Sequence, residues 1–203
     1  MKTGIYGGTF SPPHKGHIGA AEAFAEQMGL DELLIIPTAV PPHKAVGYSD
    51  DPQKRLDMCE LAFENIKNAR VSDMEIRRGG KSYTVLTLRE LKKEGRELYL
   101  LCGTDMILTL DSWYCAEEIF SLCTPVYIRR ESDPDTALLV ENKIEQYRQK
   151  FSVDIKKVTY KTVEISSSEL RRRIKNGEPT KEYLTEKVLD YIEKNKMYAE
   201  GKK

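Results

Sequence analysis

Between Gly7 and His17 the chain reads GGTFSPPHKGH, the segment richest in groups that could do chemistry. The two glycines directly follow a short apolar run. They permit positive φ and close approach of a ligand, so a phosphate could rest against main-chain N–H groups near the start of a following helix. His14 and His17 stand three apart, a spacing that turns both imidazoles toward one point in a turn or first helical turn, with Gly16 keeping the space between them open. Two donors converging beside a glycine turn describe an anion site. An isolated HxxH pair reads more readily as two surface or capping histidines. Here, however, all three histidines fall in two proline-marked loops, His43 lying in VPPHK, and both loops follow expected strands on one end of a sheet.

A second segment, ISSSELRRR at 165–173, precedes an expected helix. Ser166 and Glu169 have capping-box spacing, which accounts for those two residues without a ligand. Ser167, Ser168 and Arg171 are left over, and hydroxyls, helix-start N–H groups and a guanidinium one turn in make a pocket suited to a polyphosphate. Arg172 and Arg173 are expected to be solvated.

Elements must position these groups. Apolar runs alternate with helix-period segments: a strand at Thr3–Gly8, a helix at Ile18–Gly29 and a strand at Glu32–Pro37 form a β-α-β unit. A helix follows Asp51-Pro52, with an N-cap acid and N1 proline, and runs to about Ile66, before a strand near Ala69–Asp73. Then come a helix at Thr84–Glu94 stopped by Gly95, a buried strand at Glu97–Gly103, a helical stretch broken around Trp113, and a strand at Pro125–Arg129. A charged helix at Asp135–Phe151, a strand at Asp154–Val158 and helices at Ser167–Asn176 and Lys181–Asn195 close the chain. The pattern predicts a Rossmann-like, doubly wound α/β parallel sheet in one domain spanning 1–203, with a small C-terminal helical part from about 166, and ligands beyond the carboxyl ends of the strands.

Composition limits the function classes. The 203 residues include 40% hydrophobic and 32% charged ones, excluding disorder and collagen-like structure. Lys plus Arg (32) balances Asp plus Glu (32), so no global field draws the chain to nucleic acid or anionic lipid; any anion site is local. Apolar runs such as LLII at 33–36 fall far short of the ~18–20 residues of a membrane span, and no signal-peptide pattern is seen. Cys59, Cys102, Cys115 and Cys123 include no CxxC pair, which points to reduced thiols in a cytoplasmic protein without structural zinc.

The segment GGTFSPPHKGH closely resembles the GGTFxPxHxGH signature of the HxGH-type nucleotidylyltransferases, and ISSSELR resembles their ISST-like C-terminal motif. PPHK at 41–44, SYTVLTL at 82–88, GTDMILTLDSWY at 103–114 and VLDYIEKNKMY at 188–198 narrow the likeness to the bacterial nicotinate-nucleotide adenylyltransferases, in the right order over nearly the whole chain. Thr104 stands where that family often has alanine, and Arg130-Glu131 where it often has Arg-Pro.

The resemblance implies transfer of the AMP moiety of ATP to nicotinate mononucleotide, giving deamido-NAD and pyrophosphate. It implies that His14 and His17 contact the ATP phosphates, with Gly7, Gly8, Thr9 and Phe10 beside them, Gly103 and Asp105 near the ribose, and Ser167, Ser168 and Arg171 on the β,γ-phosphates. Asp105 is equally readable as a helix N-cap. On the acceptor side it implies Tyr83, Thr84, Trp113 and Tyr114, with His43, Lys44 and Arg130 as candidate phosphate or carboxylate contacts. Mg²⁺ is implied as an ion carried by ATP, with no protein cage. The expected partners are these small molecules and, as an option, further copies of the chain, without nucleic acid or membrane. Phosphopantetheine adenylyltransferases and cytidylyltransferases lack this Trp-Tyr loop and tail, and both intact histidines argue against a non-catalytic nucleotide sensor.

Overall fold

A computed structural model describes residues 1–41, 51–128, 134–161, 163 and 165–199. Strands β1 (Lys2–Gly8), β2 (Glu32–Pro37), β3 (Ala69–Val71), β4 (Glu97–Cys102), β5 (Cys123–Ile128) and β6 (Lys156–Val158) form one parallel sheet in the order β3-β2-β1-β4-β5-β6. The order reverses direction between β1 and β4. In an open α/β sheet that reversal leaves a crevice beyond the carboxyl ends of those two strands.

Strand residues alternate between two buried faces, as they must when helices cover both sides of a parallel sheet. Leu33, Ile35, Tyr99 and Leu101 pack into one core with Phe24, Phe63, Leu170, Val188 and Ile192. Leu34, Ile36, Leu98 and Leu100 pack into the other with Val85, Leu88, Ile107, Ile119 and Tyr147. The first face is thus covered by α1 (Lys15–Met28), α2 (Pro52–Phe63), α8 (Ser167–Lys175) and α9 (Glu186–Lys194). The second is covered by α4 (Thr84–Lys92), α5 (Thr104–Thr109), α6 (Ala116–Leu122) and α7 (Pro134–Phe151).

Several boundaries differ from the sequence expectation for identifiable reasons. Helix α1 starts at Lys15 rather than Ile18, because His14 takes the extended N-cap conformation and the KGH triplet already forms the first turn. A short helix α3 (Met74–Arg78) had no apolar period long enough to announce it. The closing helix begins at Glu186, capped by Thr185 Oγ1 accepting from the Val188 N–H at 3.3 Å, so residues 181–185 form turns. Strand β5 starts at Cys123, two residues before Pro125, and β6 first pairs with it at Val126, beyond the proline. All four cysteines are free thiols.

Candidate active site

Two cavities open at the crevice. The first, of about 230 Å³, is largely apolar and is bounded by Gly7, Ile36, Tyr83, Thr84, Trp113 and Tyr114, with Glu75 and Thr87 also in its wall. The second, about 450 Å³ and largely polar, is lined by Phe10, His17, Gly103, Asp105, Ser167, Ser168 and Arg171. Gly7, Gly8, Thr9 and Met106 belong to both.

The shared wall is the carboxyl end of β1. Gly7 and Gly8 end that strand in ordinary extended backbone, so the expectation of positive φ there is corrected: the left-handed residue is Phe10, at φ 49°. Bulky residues rarely adopt this conformation, and packing must hold it. The Phe10 ring is buried edge-on against Tyr6, His17 and Phe63, with centroids at 5.3, 5.2 and 5.7 Å. Gly8 makes room for that ring, since a Cβ there would meet it at 2.9 Å, whereas a Cβ on Gly7 would meet nothing within 4 Å. Gly7 is therefore the open floor between the two cavities.

The histidines are arranged in series. Their rings pack with centroids 3.7 Å apart and planes tilted by 34°, only His17 lines the polar cavity, and His14 is buried. The expected convergence on one point becomes one imidazole presented and one backing it. A Cβ at Gly16 would come within 2.9 Å of His14 Nδ1, so that glycine admits the backing ring. The His14 backbone N–H donates to His17 Nδ1 at 3.2 Å. In a neutral imidazole an accepting nitrogen carries no proton, so the proton sits on Nε2, the nitrogen away from the helix.

The C-terminal helices close the polar side. Ser167 Oγ donates to the Pro12 carbonyl at 2.9 Å, and the Lys15 N–H donates to the Tyr183 carbonyl at 2.8 Å. Arg171 donates to the Ser11 carbonyl at 2.7 Å and to Ser168 Oγ at 3.0 Å, and no carboxylate pairs with it among the described residues. Its neighbour Arg172 is exposed and bonds Glu169 and Glu178. Arg172, with Arg173, holds the Glu169 carboxyl down at about 2. Only half of the expected capping box forms: Ser166 Oγ accepts from the Glu169 N–H at 3.1 Å, while the Glu169 side chain turns to the arginines. Asp105 is not an N-cap. Gly103 occupies that position in α5, and Asp105 lies exposed in the first turn at the cavity edge.

The apolar side is stitched together by groups that sequence reasoning passed over. Arg55 of α2, 0% exposed, donates to the carbonyls of Thr9 (2.9 Å), Thr38 (2.6 Å) and Ala39 (3.1 Å). Ser82 Oγ accepts from the Ala39 N–H at 2.9 Å and the Ser82 N–H donates to the Val40 carbonyl at 3.0 Å. These bonds tie the loops after β1 and β2 to the start of α4. Tyr83 and Tyr114 pack with centroids 4.9 Å apart, and Trp113 Nε1 donates to Thr109 Oγ1 at 3.4 Å. His43, Lys44 and Arg130 lie outside the described residues.

For a divalent ion, the described residues contain no group of three or more His, Cys, Asp or Glu side chains that could hold one. The polar cavity offers hydroxyls, an imidazole, a guanidinium and the single carboxylate of Asp105. That donor set fits anionic oxygens and an ion carried on them, rather than a bare cation. No described helix is long and apolar enough to cross a membrane.

The chain is similar to known proteins over nearly its whole length. The family model described as cytidylyltransferase-like matches residues 5–173. A Listeria monocytogenes protein named "probable nicotinate-nucleotide adenylyltransferase" is 34% identical over 100% of this chain and 98% of its own length. A Dehalococcoides mccartyi protein of the same name is 37% identical over 98% and 97%. Among solved structures, the nicotinic acid mononucleotide adenylyltransferase of Plasmodium falciparum complexed with NaAD has the same fold, with TM-score 0.75 at 19% identity and 98% coverage of both chains.

Proposed function

The chain belongs to the cytidylyltransferase-like family, among its nicotinate-nucleotide adenylyltransferases, and from that premise we propose how its residues carry out adenylyl transfer from ATP to nicotinate mononucleotide. It is a nucleotidyltransferase of NAD biosynthesis, forming nicotinate adenine dinucleotide and pyrophosphate.

The observation that carries the assignment of residues is the pair of dissimilar cavities meeting at Gly7–Thr9. The mononucleotide occupies the apolar cavity, with its ring between Trp113 and the start of α4, and ATP occupies the polar one. Helix α4 begins at Thr84, whose position in the cavity wall puts a helix N-terminus beside the ring's carboxylate. The 5′-phosphate of the acceptor is already an anion at neutral pH, so attack on the α-phosphorus asks for alignment and charge neutralisation rather than a strong base. Gly7 lets the two phosphates approach across the strand end. His17 Nε2–H donates to the α-phosphate, where charge builds, and the hydrogen bond from the His14 N–H keeps that tautomer in place. Ser167, Ser168 and Arg171 hold the leaving pyrophosphate. Mg²⁺ carried on ATP would further neutralise its phosphates, and Asp105 is the carboxylate in the wall of the polar cavity that could meet it. Residues 1–203 work as one unit in the cytoplasm, its surface open to self-association.

The test is incubation with ATP and candidate mononucleotides one at a time. Pyrophosphate and dinucleotide appear together with nicotinate mononucleotide, and at least about tenfold less efficiently with the nicotinamide form, a ~1.4 kcal/mol difference arising because its amide sets donors against main-chain donors. Comparable efficiency for the two would overturn the acid preference.

A further inference from the structure

One group in the apolar cavity is unused by the chemistry above. Glu75 is 6% exposed and lines that cavity among largely apolar neighbours. Its Oε1 accepts from Thr87 Oγ1 at 2.7 Å and stands 3.8 Å from Arg78 Nη2, which itself donates to Thr87 Oγ1 at 2.8 Å. Its Oε2 is buried and has no hydrogen-bond partner among the described residues. One carboxylate oxygen is thus held by a hydroxyl and a guanidinium while the other meets no donor among the described residues.

A buried anion in an apolar wall is costly unless something positive or hydrogen-bonding meets it. Resting on the acceptor assignment above, we propose that Glu75 is a specificity-determining residue that selects a positively charged pyridinium ring over a neutral heterocycle. The placement of charges supports this. Thr87 is three residues along α4 from Thr84, a rise of about 4.5 Å. The cavity therefore offers a helix N-terminus at one point and a carboxylate about one turn away. That pattern complements a zwitterion: a ring cation near Glu75 and Trp113, and its carboxylate near Thr84. The indole face favours the same cation. Arg78 and Thr87 meet only the Oε1 side; a neutral ring of the same shape would add nothing positive on the Oε2 side, and a pyrimidine base would set its own carbonyl oxygens against it.

The experiment compares nicotinate mononucleotide with its 1,4-dihydropyridine form, which keeps the carboxylate, ribose and phosphate and loses only the ring charge. Both are measured by turnover with ATP and by calorimetric binding, in the parent and in Glu75→Gln. The parent prefers the charged ring. In Glu75→Gln, kcat/KM for the charged acceptor falls about tenfold, that for the dihydropyridine changes less than about twofold, and the ATP KM holds. Equal losses for both acceptors would mean that Glu75 reads a shared group such as a ribose hydroxyl, and would overturn the proposal, as would no loss for either. Arg78→Gln guards against a folding failure in Glu75→Gln. Removing the cation on the Oε1 side leaves more of the carboxylate's field to the ring, so the preference for the charged acceptor rises; an unchanged or reduced preference refutes the charge-reading role. A parent that binds the charged ring selectively but does not join it to ATP would fail the assigned reaction and leave the Glu75 proposal standing.

Discussion

His17 carries the most specific burden of any side chain in the molecule. It is the imidazole that reaches the polar cavity, and a backbone N–H fixes which of its nitrogens bears the proton. His17→Ala should lower kcat by about 10²–10³ while the far-ultraviolet spectrum and Tm remain near the parent's, because a donor aimed at developing charge typically has that effect. Turnover within a few-fold of the parent at saturating substrates would remove it from the catalytic role. The adjoining arginines give a sharper contrast. Arg171 faces a carbonyl and a hydroxyl at the cavity, while Arg172 is engaged by two glutamates on the surface. Arg171→Ala should therefore raise the ATP KM well above the effect of Arg172→Ala; equal effects would show that the polyphosphate lies elsewhere. The sequence made these side chains legible through residue type and spacing alone. It did not reveal that the His14 ring packs against that of His17, because spacing of three is compatible with convergence on one point or with ring-on-ring packing, and the choice falls to Gly16, whose missing Cβ leaves room for the His14 ring.

At the scale of elements, the loops around the site are held from behind by one residue of α2. Arg55 bonds three carbonyls in the segments after β1 and β2, so its guanidinium ties the wall shared by both cavities to the far side of the apolar cavity. Arg55→Met retains most of the volume but leaves those buried carbonyls without their donor, at a cost on the order of 1–3 kcal/mol per abandoned group. A lower Tm together with raised KM for both substrates is the expected outcome. A drop in Tm with both KM values preserved would reduce Arg55 to a purely structural part. No motif pointed to this residue. An arginine in QKRLDMCEL reads as a solvated helix position, and only the packing of α2 beneath the loops after β1 and β2 turns it inward. Helix α3, which brings in Glu75, escaped notice for a related reason: five residues are too few to show a helical period. The continuous apolar runs ELLIIP and ELYLLC announced the central strands plainly, since burial on both faces demands such sequence.

For the whole molecule, the sheet order and the docking of α8 against the loop that precedes α1 bring two chemically opposite cavities to one strand end. The rhythm of the sequence conveyed the doubly wound sheet. The seating of the C-terminal helices on that loop was not legible, because it depends on contacts such as Ser167 to Pro12 across 155 positions of chain. That seating has a consequence for the handedness of the reacting phosphorus. If acceptor and ATP occupy the two cavities as proposed, on either side of Gly7, the incoming and departing oxygens would lie on opposite faces of the α-phosphorus. A single displacement of that kind turns the phosphorus inside out. ATP made chiral at its α-phosphorus by sulfur substitution should accordingly yield a dinucleotide of inverted configuration, readable by ³¹P resonance. Retention would require two successive displacements, and with them a covalent adenylyl-enzyme, and would overturn the direct transfer between the two cavities.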